Sequence, residues 1–433
     1  MAALAELSIA MGARVFGCDA AKSERTKRLS SLGALIAYSH GKSEIYRIVP
    51  DLVIYSLAVG ENSPELRAAA TLGIPTVSRA EYMGAVMKDY GLRIGICGSH
   101  GKSTVTAMLD KIFCDAEKNP TVLCGAVLAS GASCRIGSRD FLIYEACEYG
   151  DSFLSFSPGI AIALNLEMDH TDYFSAIDDL KSSFSRALSL ASDAAIVNVD
   201  DENLRSIIPS VKSRVITYGR SDGADYRIDN VTQINGRFSF ELYEGSKRIA
   251  SPTLAVPGEF NVYNAAAAIV AARHAGLDID LAISAVDGYS GIGRRIEYLG
   301  RRFGCDIYYD YAHHPTEIAA TQKTLAFMGY KNICALFSPH TYSRTKYFFD
   351  SFADRLSAFS KSLITEIYPA REAPIIGLSA SLLAEAVRER GTESYAVGID
   401  FDISKELSGF DCVVLMGAGD LEKIKEKIMK NEV

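Results

Sequence analysis

At 433 residues the chain is too long for one hydrophobic core, and two or three domains are expected. A net charge of −8 argues against recognition of nucleic acid through its phosphates, and no window approaches the roughly twenty apolar residues of a membrane span. Met1–Ala13 has no basic region followed by an apolar core, so no signal peptide is predicted. The nine cysteines form no CxxC pair; those in apolar segments (Cys97, Cys124, Cys334, Cys412) read as reduced core thiols of a cytosolic protein.

The chain opens in a predicted helix, Ala2–Met11, without the strand and Gly-rich loop that precede such a helix in a dinucleotide-type unit. Strands are predicted at Arg14–Cys18 and Leu52–Leu57, around a helix Ser23–Leu32 that Gly33 stops. This alternation predicts a parallel sheet with crossover helices in a first block, 1–90. A second block, 91–293, begins with strand Leu92–Cys97 and helix Val105–Asp115. It continues with strands Phe141–Glu145, Ile160–Leu164 and Ala194–Val199. Tyr226–Ile249 alternates apolar and polar residues around Asn235-Gly236 and Glu244-Gly245, which predicts antiparallel hairpins. An Ala-rich helix, Asn261–Ala275, leads to a Gly/Ser/Arg linker at Gly288–Arg295. The third block, 294–433, again alternates strands (Asp306–Tyr309, Asn332–Phe337, Ser362–Glu366, Cys412–Met416) with helices, as in a second nucleotide-fold-like unit. The fold class is therefore α/β.

Gly95–Thr104, Gly-Ile-Cys-Gly-Ser-His-Gly-Lys-Ser-Thr, carries the strongest chemical signal. Gly98 and Gly101 let the backbone N–H groups of Gly98–Thr104 turn toward an anion at a helix N-terminus. Lys102 can reach terminal phosphates and Ser103 can ligate Mg²⁺. Ile96 stands where the strict phosphate-loop pattern has its first Gly, so the loop is a variant.

Other candidates follow predicted strands, where open parallel sheets gather ligands. Glu145 ends one strand and suits Mg²⁺. Asn165–His170 follows the next; His170 reads as a metal ligand, a phosphate contact or a surface residue, and Glu167 and Asp169 equally as solvated loop charges. Asn261 reads as a helix N-cap or, with Asn264, as a reader of an adenine edge. Arg294 and Arg295 suit phosphate or carboxylate. Asp310–Glu317, Asp-Tyr-Ala-His-His-Pro-Thr-Glu, spells no zinc site, and polar positioning of a substrate fits it better. His340 and Arg344, after the following strand, can clamp a carboxylate.

In this order, Gly-Ser-His-Gly-Lys-Ser (98–103), Glu-Ala-Cys-Glu (145–148), Asp-His (169–170), Phe-Asn-Val-Tyr-Asn (260–264), Gly-Arg-Arg (293–295) and Asp-Tyr-Ala-His-His-Pro-Thr-Glu (310–317) resemble the Mur ligase family of ATP-dependent amide-bond-forming enzymes. Ser338–Thr345 and Tyr368–Pro374 resemble the members that add L-alanine. The resemblance implies three domains: one for a UDP-sugar, a central phosphate-loop domain for ATP, and a C-terminal domain for the amino acid, the outer two Rossmann-like. It implies that ATP and Mg²⁺ activate the lactyl carboxylate of UDP-N-acetylmuramate for attack by L-alanine in the cytoplasm, with no nucleic-acid or membrane partner. Lys102 then serves the β- and γ-phosphates; Ser103, Glu145 and His170 the metal; Asn261 and Asn264 the adenine; Arg295 or Arg294 a phosphate. Tyr311, His313, His340 and Arg344 fall near the amino acid, and Asp19 and His40 at uridine positions. Relatives carry a Gly-rich loop just before the opening helix, so the resemblance further implies a first domain lacking its first strand and loop, through truncation or a misplaced start. The alternatives are a murein-peptide recycling ligase, which joins a tripeptide to the same nucleotide sugar, and an ATP-binding protein without catalysis.

Overall fold

A computed structural model describes residues 1–430 except 20, 39, 40, 58, 61, 129, 130, 371 and 420; of residues 42 and 43 it describes the backbone alone. The chain forms two compact units, Met1–Leu166 with Leu180–Tyr218 and Val270–Leu281, and Glu167–Asp179 with Gly219–Ile269 and Ala282–Val433.

The first unit opens with helix Ala2–Ala10 and two parallel strand pairs, β1 (Phe16–Cys18) with β2 (Leu35–Ala37) and β3 (Val53–Tyr55) with β4 (Thr76–Ser78). The predicted parallel pairing and the crossover helices are present, as two short pairs rather than one sheet. Helix Glu24–Ser31 starts where Ser23 and Thr26 form a reciprocal cap, and Gly33 beyond its end has φ +98°.

The larger sheet of this unit comprises β5 (Leu92–Cys97), β6 (Thr121–Leu123), β7 (Cys134–Arg135), β8 (Phe141–Glu145), β9 (Ile160–Ala163), β10 (Ala194–Asn198) and β11 (Val215–Gly219). Its order is β7-β6-β8-β5-β9-β10-β11, parallel except for β7. Both faces are covered, so the strands are near-continuous apolar runs with Ile94, Ile96, Ile160, Ile162 and Ile196 fully buried. Helix Lys102–Asp115 packs through Val105, Met108, Leu109 and Ile112, the spacing of one helical face.

In the second unit, β12 (Tyr226–Ile234), β13 (Arg237–Glu244), β14 (Lys247–Ala250) and β15 (Thr253–Pro257) form the expected antiparallel hairpins. A separate sheet holds β16 (Glu297–Arg302), β17 (Cys305–Asp310), β18 (Ile333–Ser338), β19 (Lys361–Thr365), β20 (Glu393–Val397) and β21 (Cys412–Gly417). Its order is β16-β17-β21-β18-β19-β20, parallel but for β16. Apolar clusters cover both faces, one around Phe337 and Phe352 and the other around Leu336, Leu363 and Leu415. Each such fully buried side chain contributes about 1.5–3 kcal/mol. Cys97, Cys124, Cys334 and Cys412 are all buried free thiols. Among the described residues no helix is long and apolar enough to cross a membrane.

Candidate active site

In the first unit the loop between β5 and helix Lys102–Asp115 turns on two glycines. Gly98 has φ +142° and Gly101, the helix N-cap, φ +84°, both in the region that favours glycine. A Cβ at Gly98 would stand 3.1 Å from Cβ of Leu164, so the loop backbone passes against the end of β9. The helix's bonding begins with Val105 N–H to the Gly101 carbonyl, so the preceding N–H groups, those of Lys102, Ser103 and Thr104, have no partner within the helix.

Asn165 straps this loop. Its Oδ1 accepts from His100 N–H at 2.7 Å, its Nδ2 donates to the His100 carbonyl at 3.1 Å, and its own carbonyl accepts from Ser99 N–H at 3.2 Å. The sequence offered no sign of this role beyond an Asn after a strand.

Lys102 lies over the loop, donating to the carbonyls of Gly98 and Ser99 and to both oxygens of Glu148 at 3.1 and 3.2 Å. Burial pulls its pKa down, but the carboxylate of Glu148 outweighs it and the net shift is upward. Lys102 is therefore a fixed cation. Glu148 is 1% exposed, and the sequence reading assigned it no role.

Glu145 ends β8 in register with Ile96. Its Oε1 accepts from Gly125 N–H and from the Cys124 thiol at 3.2 Å, and the same thiol lies 3.8 Å from the Ser103 carbonyl. Among the described residues no Lys or Arg forms an ion pair with Glu145. Ser103 and Glu145 thus bracket one thiol and offer hard oxygen donors of the kind Mg²⁺ takes.

In the second unit, candidates from three strand ends meet. After β17, Tyr311 carries the guanidinium groups of Arg294 and Arg295 at 4.7 and 5.3 Å from its ring centre. The predicted linker around them is a tight irregular turn, with Arg294 at φ +60° and Ile292 buried. Arg295 lies 3.7 Å from Glu317. His313 packs edge-on against Tyr311 and His340, and His340 stacks on Tyr368 beyond β19.

The segment after β9 belongs to this group. Asp169 is buried and receives Nε and Nη2 of Arg344 at 3.0 and 2.6 Å, while Nη1 of Arg344 meets Nδ1 of His340 at 3.0 Å. Glu167 accepts from the Thr316 hydroxyl at 2.7 Å, and the His314 ring meets the Met168 carbonyl at 3.2 Å. The solvated-charge alternative for Glu167 and Asp169 is thereby corrected: the partners lie more than a hundred residues away in sequence, where no local pattern reveals them. His170, with φ +52°, is half-buried and donates its N–H to Asp169 at 2.7 Å.

Asn261 and Asn264 are buried inside helix Phe260–His274, so the N-cap alternative for Asn261 is also corrected. The helix starts one residue earlier, and the Asn261 amide donates to the Pro257 carbonyl at 2.7 Å and accepts from Asn264 at 3.0 Å. Asp19, in the first unit, is exposed and accepts from Ala21 N–H. His40 lies outside the described residues.

Two neighbours in the second unit titrate abnormally. Burial pushes Asp310 up to about 6, against the pull of Arg295 and the Thr321 hydroxyl bond. Burial pushes His313 down to about 4, helped by Arg344 and opposed by Glu317. His313 is therefore neutral near pH 7. As pH falls from 6.5 toward 4, the unfolded chain takes up a proton that the folded His313 refuses, so stability is lost over that window. Relative to His313→Gln, the wild-type chain should lose about 2 kcal/mol more between pH 7 and 4.5 in urea unfolding. Parallel losses in both proteins would contradict an imidazole that the fold holds neutral.

Family models match along the chain: the Mur ligase middle domain at residues 96–272, the Mur ligase family catalytic domain at 1–91 and the Mur ligase glutamate ligase domain at 294–419. The UDP-N-acetylmuramate–L-alanine ligase of Acetivibrio thermocellus is 37% identical over 441 residues, covering 100% of this chain and 94% of the relative. That of Caldicellulosiruptor saccharolyticus is 37% identical, covering 99% and 96%. Among solved structures, the Thermotoga maritima UDP-N-acetylmuramate–alanine ligase superposes with a TM-score of 0.84 at 24% identity (99% of this chain, 96% of that one). A murein peptide ligase from Psychrobacter arcticus gives 0.75 at 22% (100% and 97%). The chain belongs to the Mur ligase family, with its three-domain α/β architecture, and is an ATP-dependent amide ligase of peptidoglycan synthesis.

Proposed function

We propose that this chain joins L-alanine to the lactyl carboxylate of UDP-N-acetylmuramate in the cytoplasm, with domains at 1–90, 91–293 and 294–433 for the nucleotide sugar, ATP and the amino acid. The observation that carries this reading is the likeness, over the whole length of the chain, to relatives named for that reaction. The lactyl carboxylate oxygen attacks the γ-phosphorus of ATP, giving an acyl phosphate and ADP. The amine of L-alanine then adds to the acyl carbon, and phosphate leaves as the amide forms. Such chemistry is mostly positioning and charge neutralisation.

The loop Gly98, Ser99, His100, Gly101 wraps the phosphates, with Asn165 holding the Ser99 and His100 N–H groups and the N–H groups of Lys102, Ser103 and Thr104 at the helix start donating to the anion, and Lys102 neutralises the β- and γ-groups. Ser103 and Glu145 would hold Mg²⁺, and His170 would serve a metal; the ion, when bound, would screen the charge of the transferring phosphoryl group. Asn261 and Asn264 read the adenine, and Arg295 contacts a phosphate. Asp19 and His40 serve the uridine. Tyr311, neutral His313 and His340 line the place of the amino acid, and Arg344 receives its carboxylate.

The test is substrate choice. With UDP-N-acetylmuramate and ATP, L-alanine should be ligated and the tripeptide L-alanyl-γ-D-glutamyl-meso-diaminopimelate should not. Preference for the tripeptide would instead make the chain a murein peptide ligase.

A further inference from the structure

Arg344 is 8% exposed and sits on a short helix, Tyr342–Tyr347, after β18. A free arginine would sample many rotamers, at a cost of about 2 kcal/mol to fix. This one is already fixed. Oδ1 of Asp169 accepts Nε–H, one N–H of Nη2 and the backbone N–H of His170 together, and one N–H of Nη1 meets His340. A guanidinium has five N–H groups. Three are engaged among the described residues, which leaves one on each terminal nitrogen, a pair suited to a carboxylate.

We propose that Asp169 is a positioning residue for the amino-acid substrate: it pins one edge of the Arg344 guanidinium and so holds the remaining N–H pair ready for the substrate carboxylate. This rests on the reading of Arg344 as that carboxylate's receptor. Asp169 and the substrate carboxylate are held together on one cation, not exchanged, and the ordering of Arg344 precedes binding.

The experiment measures steady-state ligation by the full chain with L-alanine varied, then ATP varied, for the wild type, Asp169→Asn, Arg344→Lys and Arg344→Ala. Asn is nearly isosteric but is a weaker partner. Asp169→Asn should raise KM for L-alanine about tenfold or more while kcat and KM for ATP stay within about threefold. An unchanged KM for L-alanine there, with a raised one in Arg344→Ala, overturns the role of Asp169 and leaves Arg344 as receptor. An unchanged KM in both overturns the receptor reading as well. Should Asp169→Asn fail to fold, Arg344→Lys carries the test. Lysine satisfies Asp169 as a point charge but has no second N–H pair to offer, so KM should rise with the fold kept. A wild-type KM in Arg344→Lys would show that Asp169 only needs a buried cation, and would overturn the proposal.

Discussion

Lys102→Ala should lower ligation by about 100- to 1,000-fold or more, the scale on which a preorganised charge at a reacting group acts. The same change should also lower the melting temperature, because it removes the ammonium that both oxygens of Glu148, 1% exposed, accept from. Breaking a buried pair on one side costs about 3–5 kcal/mol. The two effects separate in the double variant Lys102→Ala/Glu148→Gln. Thermal melting should return toward the wild-type value, since the neutral amide removes the buried negative charge that Lys102 balanced, while phosphate release stays at the single-variant level. Recovery of activity together with stability would mean that Lys102 matters only as a partner for Glu148.

Asn165→Ala should reduce kcat/KM for ATP about 100-fold with a much smaller change in KM for L-alanine. The side chain makes two of the three bonds by which Asn165 holds the backbone of Ser99 and His100, at 2.7 and 3.1 Å. Removing it leaves a donor and an acceptor of the loop to water, at about 1–3 kcal/mol each. On the proposed reading, a loop that wanders no longer holds its shape around the phosphates. Asn165→Asp keeps an acceptor for His100 N–H but sets an oxygen against the His100 carbonyl, and should fall between the two. Wild-type kinetics for ATP in Asn165→Ala would show that the loop's glycines and helix cap hold its shape unaided.

The parts of the fold that local pattern determines were legible. β5 and β8 are buried parallel strands written as apolar runs, and both lie where the sequence placed them, Leu92–Cys97 and Phe141–Glu145. The hairpins of Tyr226–Ala250 follow from period-two alternation around Asn235-Gly236 and Glu244-Gly245. Helix Lys102–Asp115 starts a turn before the predicted Val105, because Gly101 caps it from the left-handed region and the phosphate-loop residues themselves form its first turn. The three-residue strands β2, β4 and β6 were missed; β1 and β3, equally short, lie within the longer segments predicted at Arg14–Cys18 and Leu52–Leu57. At the site, the glycines and Lys102 announce themselves by spacing. Asn165, Glu148 and the Asp169–Arg344 pair do not, since each acquires its meaning from a partner distant in sequence. The last pair spans 175 positions.

The most direct measurement is phosphate release by the full chain from ATP and Mg²⁺, with UDP-N-acetylmuramate and L-alanine each present or withheld. Release that requires both substrates, with equal amounts of ADP, phosphate and UDP-N-acetylmuramoyl-L-alanine, is the expected result. ATP binding without substrate-dependent release, or release that L-alanine does not stimulate, would contradict an alanine-adding ligase.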